Sequence, residues 1–466
     1  MRPTPQGPLF SYGRLQTARP RVIEHAHTVG EVSAALRRAH QEHRRVTLRA
    51  GGRSFDAQAL TDDTLVQLDG FADIAIDANA RTVTCGSGAR WGDVVGHALG
   101  HELIPHISVT TPHATAGGVL AANCLSRSTP VYGHSGDRIR SFQLLTVDGR
   151  LLTCSRTQNA DLFRAAIGGF GWLGFVTQLT IDLLPLGPRR RVKTELERQE
   201  GLESYLETLF ARSHDPQGAD AVYSVFSLDD RPRGAVMRSR YTEEDGPRSL
   251  FLYQKYAWHR PLGELLFATR LSRTLCQQAW THLFPRGPFF DDLHGYTFCM
   301  EPNERAKAAT ERWGLTIGTL QHSYVVPEAA ALGFLVECRK LMRKHDVYPS
   351  LLDGLRMPVD EALLGSARAM EGVCFSFVFQ SLRRARMARV AECLRELNDA
   401  CIASGGRLHL VKNVVASGEQ LARMYGSALG EFAELKGRVD PRGVLGNAFG
   451  DRLFNGRGAG ALDRVA

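Results

Sequence analysis

Glycine clusters placed at the ends of extended or small-residue runs constrain the first 185 residues more than any other feature of the chain. The β-prone run Arg45 to Arg49 leads into Ala50-Gly51-Gly52-Arg53-Ser54, so a strand feeding a tight loop is predicted there. Thr115-Ala116-Gly117-Gly118 opens an apolar helix-forming run through Asn123, and Gly168 to Gly174 precede Phe175 to Leu184, whose partial alternation predicts a strand. Backbone without side chains lets N–H groups converge on an anionic oxygen, and a helix start adds exposed N–H groups of its own. Taken singly, each cluster also reads as a plain tight turn or a point of close packing. Three in one domain point to a large planar anionic cofactor lying between them. Neither the Walker pattern nor the dinucleotide GxGxxG pattern is matched, which argues against a P-loop enzyme or a Rossmann dehydrogenase.

Around these clusters the pattern predicts strands over Leu65 to Leu68, Ile74 to Asp77 and Thr82 to Cys85, and a helix over Trp91 to Gly100. Arg140 to Val147 and Leu151 to Cys154 flank Asp148-Gly149-Arg150, an antiparallel hairpin signal, and Asp161 to Ile167 reads as a short helix. Pro185, Pro188 and Arg189 to Arg191 close this unit, and 466 residues exceed what one hydrophobic core serves, so a second unit is expected. There a strand at His322 to Val326, a helix at Ala329 to His345 and an extended segment at Tyr348 to Arg356 are followed by the same order at Gly372 to Gln380, Arg384 to Ser404 and Arg407 to Lys412. Two βαβ-like units with helices on one sheet face follow from that duplication, giving an α+β chain.

Lys plus Arg number 57 against 49 for Asp plus Glu, a formal charge of +8, with the excess spread along the chain as Arg. No basic block interleaved with aromatics occurs, so no nucleic-acid partner is expected, and a mild bias toward anionic ligands is. Nine cysteines without a CxxC pair fit reduced thiols in a cytoplasmic protein better than a disulfide framework or a metal site. Met1 to Leu15 is polar and Pro-rich, and no later stretch reaches transmembrane length, so neither a signal peptide nor a membrane span is expected.

In their order along the chain, the loop Arg49 to Ser54, the segment Thr115 to Asn123, the run Asp161 to Val176 and the ending Val439-Asp440-Pro441-Arg442-Gly443-Val444-Leu445 resemble the vanillyl-alcohol-oxidase superfamily. The first 185 residues resemble its PCMH-type FAD-binding domain, and the whole chain resembles the decaprenylphosphoryl-ribose 2′-oxidase branch. The resemblance implies FAD as cofactor and three parts: a FAD-binding domain at 1–188, a mixed α+β cap carrying the substrate site at 189–406, and a return to the FAD domain at 407–466.

Residue by residue, it implies that Gly51, Gly52, Arg53 and Ser54 cradle the diphosphate, that Arg49 and Phe55 beside them also bind the cofactor, and that Thr115, Gly117, Gly118, Asn123 and Cys124 line it from the other side. Gly174 and Val176 would meet its adenine end or the neighbouring backbone. Arg53 stands where many members carry the histidine that anchors flavin, and no cysteine near Gly88 to Val94 matches the second attachment point, so non-covalent FAD is implied. In the cap, Gln321 matches the glutamine sent toward substrate and flavin, Cys374 an active-site cysteine, and Lys412 the lysine beside flavin and substrate, while His409 replaces an aromatic flavin contact. Leu125-Ser126-Arg127 stands where the sugar oxidases have histidine, glycine and lysine, so Leu125 supplies no proton exchange and Arg127 retains attraction for phosphate.

These matches imply a small-molecule alcohol substrate, sugar-like or nucleoside-like, that gives hydride to the flavin, with Lys412, Gln321 and Cys374 as the catalytic candidates and Leu125, Arg127 and Gln321 as substrate contacts. Two other functions share the flavin domain. A reductase of the sterol-alkene type would carry hydride from NADPH through FAD, and a non-redox binding or cyclisation scaffold would leave the flavin oxidised.

Overall fold

A computed structural model of the chain describes residues 7–248, 287–312, 318–381 and 384–455. A short hairpin, β1 (Leu9–Phe10) with β2 (Thr17–Ala18), precedes β3 (Val22–Ala26), helix α1 (Val29–Gln41), β4 (Val46–Arg49) and β5 (Thr64–Leu68). β3 and β4 both pair in parallel with β5 to make a three-stranded sheet. Thr28 caps α1 in a capping box with Glu31, and Val32, Ala35, Leu36 and Ala39 recur on the buried helix face.

A six-stranded antiparallel sheet follows, built from β6 (Ile74–Asp77), β7 (Thr82–Gly86), β8 (Leu103–Pro105), β9 (Ile139–Leu145), β10 (Leu151–Ser155) and β11 (Phe175–Pro185). Its order is β10-β9-β11-β7-β6, with β8 on the far end of β11. Helices α2 (Trp91–Leu99), α3 (Ala116–Ala122), α4 (Thr129–Tyr132) and α5 (Ala160–Ala166) connect these strands. The Asp-Gly hairpin forms as its sequence predicts, with Gly149 at φ +89° and Thr146 N–H donating to the Arg150 carbonyl.

Between Pro185 and Arg191 the chain passes to an eight-stranded sheet: β12 (Arg191–Glu200), β13 (Ala221–Phe226), β14 (Arg233–Thr242), β15 (Phe289–Asp292), β16 (Gly318–Pro327), β17 (Leu351–Met357), β18 (Gly372–Ser381) and β19 (Arg407–Leu408). The order is β15-β12-β14-β13-β17-β18-β16-β19. The duplicated pattern of the second half is therefore present but interleaved. β16 and β17 both run antiparallel to β18, and β18 and β19 both neighbour other strands rather than each other, so each βαβ unit is split by a strand of the other.

Two sequence expectations change here. The extended segment predicted over Arg407 to Lys412 ends at Leu408, because the chain turns between His409 and Lys412, where Gln58 holds the carbonyls of Leu410 and Lys412. The four strands β12 to β15 and helix α6 (Leu202–His214) lie in a stretch for which no elements were predicted.

Side chains sort cleanly across this sheet. Phe375, Phe377 and Phe379 of β18 and Leu320, His322, Tyr324 and Val326 of β16 are buried on one face, where α6 and the helices Ala331–Lys344 and Arg384–Ala403 pack. Cys374, Ser376, Gln321, Ser323, Asp353 and Leu355 alternate onto the other face.

Of the last helices, Gly418–Tyr425 packs on the helix Arg384–Ala403, while Ser427–Val439 and Ala448–Asn455 fold back against the first half. Trp172 packs edge-on to Phe432 and Phe454 and tilted on Phe449. The ending motif has a mechanical use: Asp440 accepts from Val444 N, Leu445 N and Lys436 Nζ, and the turn it closes returns Leu445 beside Val46 in β4.

Candidate active site

β4 delivers the chain into the glycine loop, and Gly52 takes φ +62°, the left-handed region that a residue with a Cβ resists. A Cβ there would stand 2.5 Å from Arg49 Nη2, and one on Gly51 would stand 2.8 Å from the His113 carbonyl. No backbone N–H from Gly51 to Ser54 donates to another described residue. Arg49 is pushed below the usual guanidinium range by burial first and then by the positive charges of Arg14 and Arg53. Arg53 Nε is buried without a partner among the described residues, although Nη1 lies 3.6 Å from Glu304 Oε1. Open amides, crowded guanidiniums and an orphaned N–H form a donor set that an anionic diphosphate satisfies.

The second glycine cluster is used differently. Ala116 N and Gly117 N donate to the carbonyls of Ala89 and Ser87, and Gly118 N to the Thr115 hydroxyl, so the start of α3 is satisfied within the protein. Gly117 is required by contact, since its Cβ would lie 2.6 Å from Ser87 Cβ. Gly118 alone of this group is exposed. Asn123 ends α3 at φ 41° and is locked there: its Nδ2 donates to Asp360 Oδ2 at 2.9 Å, and its Oδ1 accepts from Gly136 N. That turn projects Cys124, Leu125 and Arg127 toward the eight-stranded sheet, where Val222 N donates to the Arg127 carbonyl. Gly174, at φ +158°, approaches the Leu145 carbonyl so closely that close packing accounts for it, and Val176 is half-buried next to a register shift in β11.

Residues 409–414 run between the β16 edge and the loop after the glycines. His409 N donates to the Ser323 carbonyl, Asn413 N to the Gln321 carbonyl, and Asn413 Nδ2 to the Phe55 carbonyl. Gln58 Nε2 donates to the carbonyls of Leu410 and Lys412, and Val414 N to Asp56, which is itself in a buried ion pair with Arg452 at 3.1 Å. His409 to Lys412 thereby becomes a turn, with Lys412 N donating to the His409 carbonyl. Lys412 Nζ sits 4.8 Å from the centre of the Phe55 ring and makes no hydrogen bond or ion pair among the described residues. Burial lowers its pKa, opposed by Cys124, Asp353 and Cys374. His409 is buried with its pKa pushed down to about 3, by burial first and then by Lys412 and His134; its Nδ1 lies 3.2 Å from Ser366 Oγ.

Gln321 Nε2 donates to Ser376 Oγ at 2.7 Å, leaving its carbonyl oxygen without a described donor. Cys374 is buried in an apolar cluster with Val325, Met357 and Ala367, against which Leu125 and Leu355 pack. Burial pushes its thiol far above the ordinary value, so it stays protonated and lines the site as an apolar group. Arg127 is not left open for phosphate: Nη1 donates to the Tyr296 carbonyl, Nη2 to Cys299 Sγ, and its guanidinium lies 4.9 Å from both the Tyr223 and the Tyr296 ring centres. Sequence reasoning passed over Asp353, half-buried on the same sheet face, whose carboxyl burial pushes up to about 6 against the pull of Lys412 and Arg127.

The glycine loop, the Asn123 turn and the Lys412 turn thus come together, as the resemblance to a PCMH-type flavin domain with a cap implies. The comparisons with known proteins bear this class out. A model described as FAD binding domain matches residues 20–155, and one described as D-arabinono-1,4-lactone oxidase matches residues 320–453. The chain is a FAD-dependent oxidoreductase with an FAD-binding domain of the PCMH type.

Among relatives, it is 25% identical to a decaprenylphosphoryl-beta-D-ribose oxidase of Mycolicibacterium smegmatis over 97% of this chain and 98% of that protein. It is 27% identical to an alditol oxidase of a Streptomyces species over 87% and 90% of the two chains. Similarity to cytokinin dehydrogenase 1 of Oryza sativa subsp. japonica, at 29% identity, covers 39% of this chain and 35% of that one. No helix among the described residues is long and apolar enough to cross a membrane, and no group of side chains among them is arranged to hold a metal ion.

Proposed function

We propose that the chain oxidises a secondary alcohol of a sugar-like or nucleoside-like small molecule, with residues 1–188 holding FAD, 189–406 supplying the cap and 407–466 returning to the flavin domain. Full-length similarity to two proteins named as oxidases of a ribose derivative and of alditols supports this substrate class. Bound FAD supplies the two-electron acceptor for the carbinol C–H bond.

The observation that carries the reading is Lys412. It is a half-buried cation with no hydrogen-bonding or ionic partner among the described residues, pinned by the backbone contacts of Gln58 and Asn413. Because burial lowers its pKa, the neutral amine is reached more readily than in an exposed lysine, and its Nζ then accepts the carbinol proton. The resulting ammonium stabilises the negative charge that develops beside it. Gln321 orients the substrate through its carbonyl oxygen. Leu125, Cys374 and Leu355 exclude water from that side.

Anaerobic mixing of the FAD-loaded protein with a panel of sugars, nucleosides and polyprenyl-phospho-sugars tests this. Loss of the oxidised flavin absorbance with an alcohol is the expected result. Bleaching by NADPH and by no alcohol, or a flavin that stays oxidised throughout turnover, overturns it.

A further inference from the structure

The sheet face turned toward the Lys412 turn is apolar along Leu355, Cys374 and Val325 and polar along the next cross-strand row. Asp353 lies opposite Ser376, and Ser376 lies opposite Ser323, so the three side chains share one face. Strands sit about 4.8 Å apart, so Asp353 on β17 lies about 10 Å from β16, a span that a sugar-sized ring with its hydroxyls bridges.

The other members of the row satisfy one another. Ser323 and Ser376 hydroxyls are 2.9 Å apart, and Gln321 donates to Ser376. Asp353 accepts no hydrogen bond and makes no ion pair with any described residue. Arg127, the nearest fixed guanidinium in charge terms, is engaged by Tyr296 and Cys299, and Lys412 acts on Asp353 without direct contact. A half-buried carboxylate without a donor carries a desolvation cost, and a ligand that brings donors removes it.

We infer that Asp353 is a specificity-determining residue of the substrate site, accepting hydrogen bonds from hydroxyl or ammonium donors of the substrate and rejecting a phosphate or carboxylate at that end. The inference rests on the reading above that the substrate binds at this face. Its raised carboxyl pKa agrees with a group that lacks donors in the protein itself.

The test uses FAD-loaded wild type and Asp353→Asn with three probes: methyl β-D-ribofuranoside, its 5-amino-5-deoxy analogue and its 5-phosphate. Dissociation constants are read anaerobically from perturbation of the flavin absorption, and reduction rates from its loss. Wild type is expected to bind the neutral and amino probes at least about tenfold more tightly than the phosphate. Asp353→Asn is expected to weaken the amino probe by about tenfold or more and to bring the phosphate level with the neutral sugar. Asp353→Ser, which suits the serine-lined row, serves in its place should the Asn variant fail to hold FAD.

An order of affinities unchanged by the substitution, or no binding of any probe to wild type, overturns the inference. The expected order with no flavin reduction by any alcohol would leave Asp353 as assigned and remove the alcohol-oxidation reading. Flavin reduction with an unchanged order would do the reverse.

Discussion

Lys412→Met separates what this residue does for folding from what it does for chemistry. The substitution keeps an unbranched stem and deletes one charge and its N–H donors. The structure gives Lys412 one specific interaction to lose, the cation–π contact with Phe55 at 4.8 Å, worth about 0.5–2 kcal/mol. Relief of burying an ammonium without a partner offsets that loss. The variant is therefore expected to fold, to bind FAD, and to unfold within about 1 kcal/mol of wild type.

The sign of the pH dependence is also fixed. The folded pKa of Lys412 lies below 10.5, so the unfolded chain binds its proton more tightly. The charged lysine thus costs native stability at neutral pH, and the cost fades as pH rises toward 10.5. Relative to wild type, the Met variant should be more stable at pH 7 than at pH 10. The chemical step should behave otherwise: proton transfer and electrostatic help together are worth about a hundredfold or more, roughly 2.7 kcal/mol. Anaerobic stopped-flow reduction of the flavin by the substrate measures this, with FAD content and thermal unfolding as controls. A variant that holds FAD and reduces it at the wild-type rate would refute the role given to Lys412. A variant that loses FAD would make the lysine a cofactor-holding residue instead.

Gly52→Val puts a branched side chain at φ +62° and against Arg49, so FAD content after purification should collapse; normal content would show that this loop is not the diphosphate cradle. Asp56→Ala leaves Arg452 buried without its partner and Val414 N without its acceptor, and should cost about 3–5 kcal/mol in denaturant unfolding. A loss below about 1 kcal/mol would mean that Asp56 does not anchor the Lys412 segment. Leu125→His sets an imidazole against the apolar cluster that holds Cys374, so the melting temperature should fall by a few degrees, about 1–2 kcal/mol, and the ranking of the alcohol panel should change. An unchanged ranking would take position 125 out of the substrate site.

What the sequence made legible was local. The β9–β10 hairpin was readable because Asp148-Gly149 is a turn signal independent of its surroundings, and α2 because Trp91, Val94, Val95 and Ala98 repeat at helical spacing. β12 was not readable. Lys193, Glu195 and Glu197 resemble a solvated charged stretch, and only in the folded chain do they meet Glu244 just past β14, Arg238 of β14 and Arg212 of α6. β13 carries no alternation because all of its residues are buried. Lys412 was readable as a candidate through its family match, but its turn was not, since the groups that bend the chain there, Gln58 and Asp56, come from more than 350 positions away.

Asp353 shows why a site residue escapes a linear reading. Leu352-Asp353-Gly354 lies within the extended segment expected over Tyr348 to Arg356 and is mid-strand in β17, but nothing in that stretch of sequence says what its carboxylate faces. Gly354 is there because Tyr205 Oη would stand 2.5 Å from any Cβ on the helix-covered face, and Asp353 takes the opposite face by alternation alone. The two glycine pairs teach the same lesson in reverse. Gly51-Gly52 and Gly117-Gly118 look alike in sequence, but the amides of the first meet no acceptor among the described residues, while Gly117 and its neighbour Ala116 spend theirs on Ser87 and Ala89. A glycine pair marks a place where backbone must come close to something. Whether that something is a ligand or another strand is decided by what the rest of the chain places opposite, which no local pattern encodes.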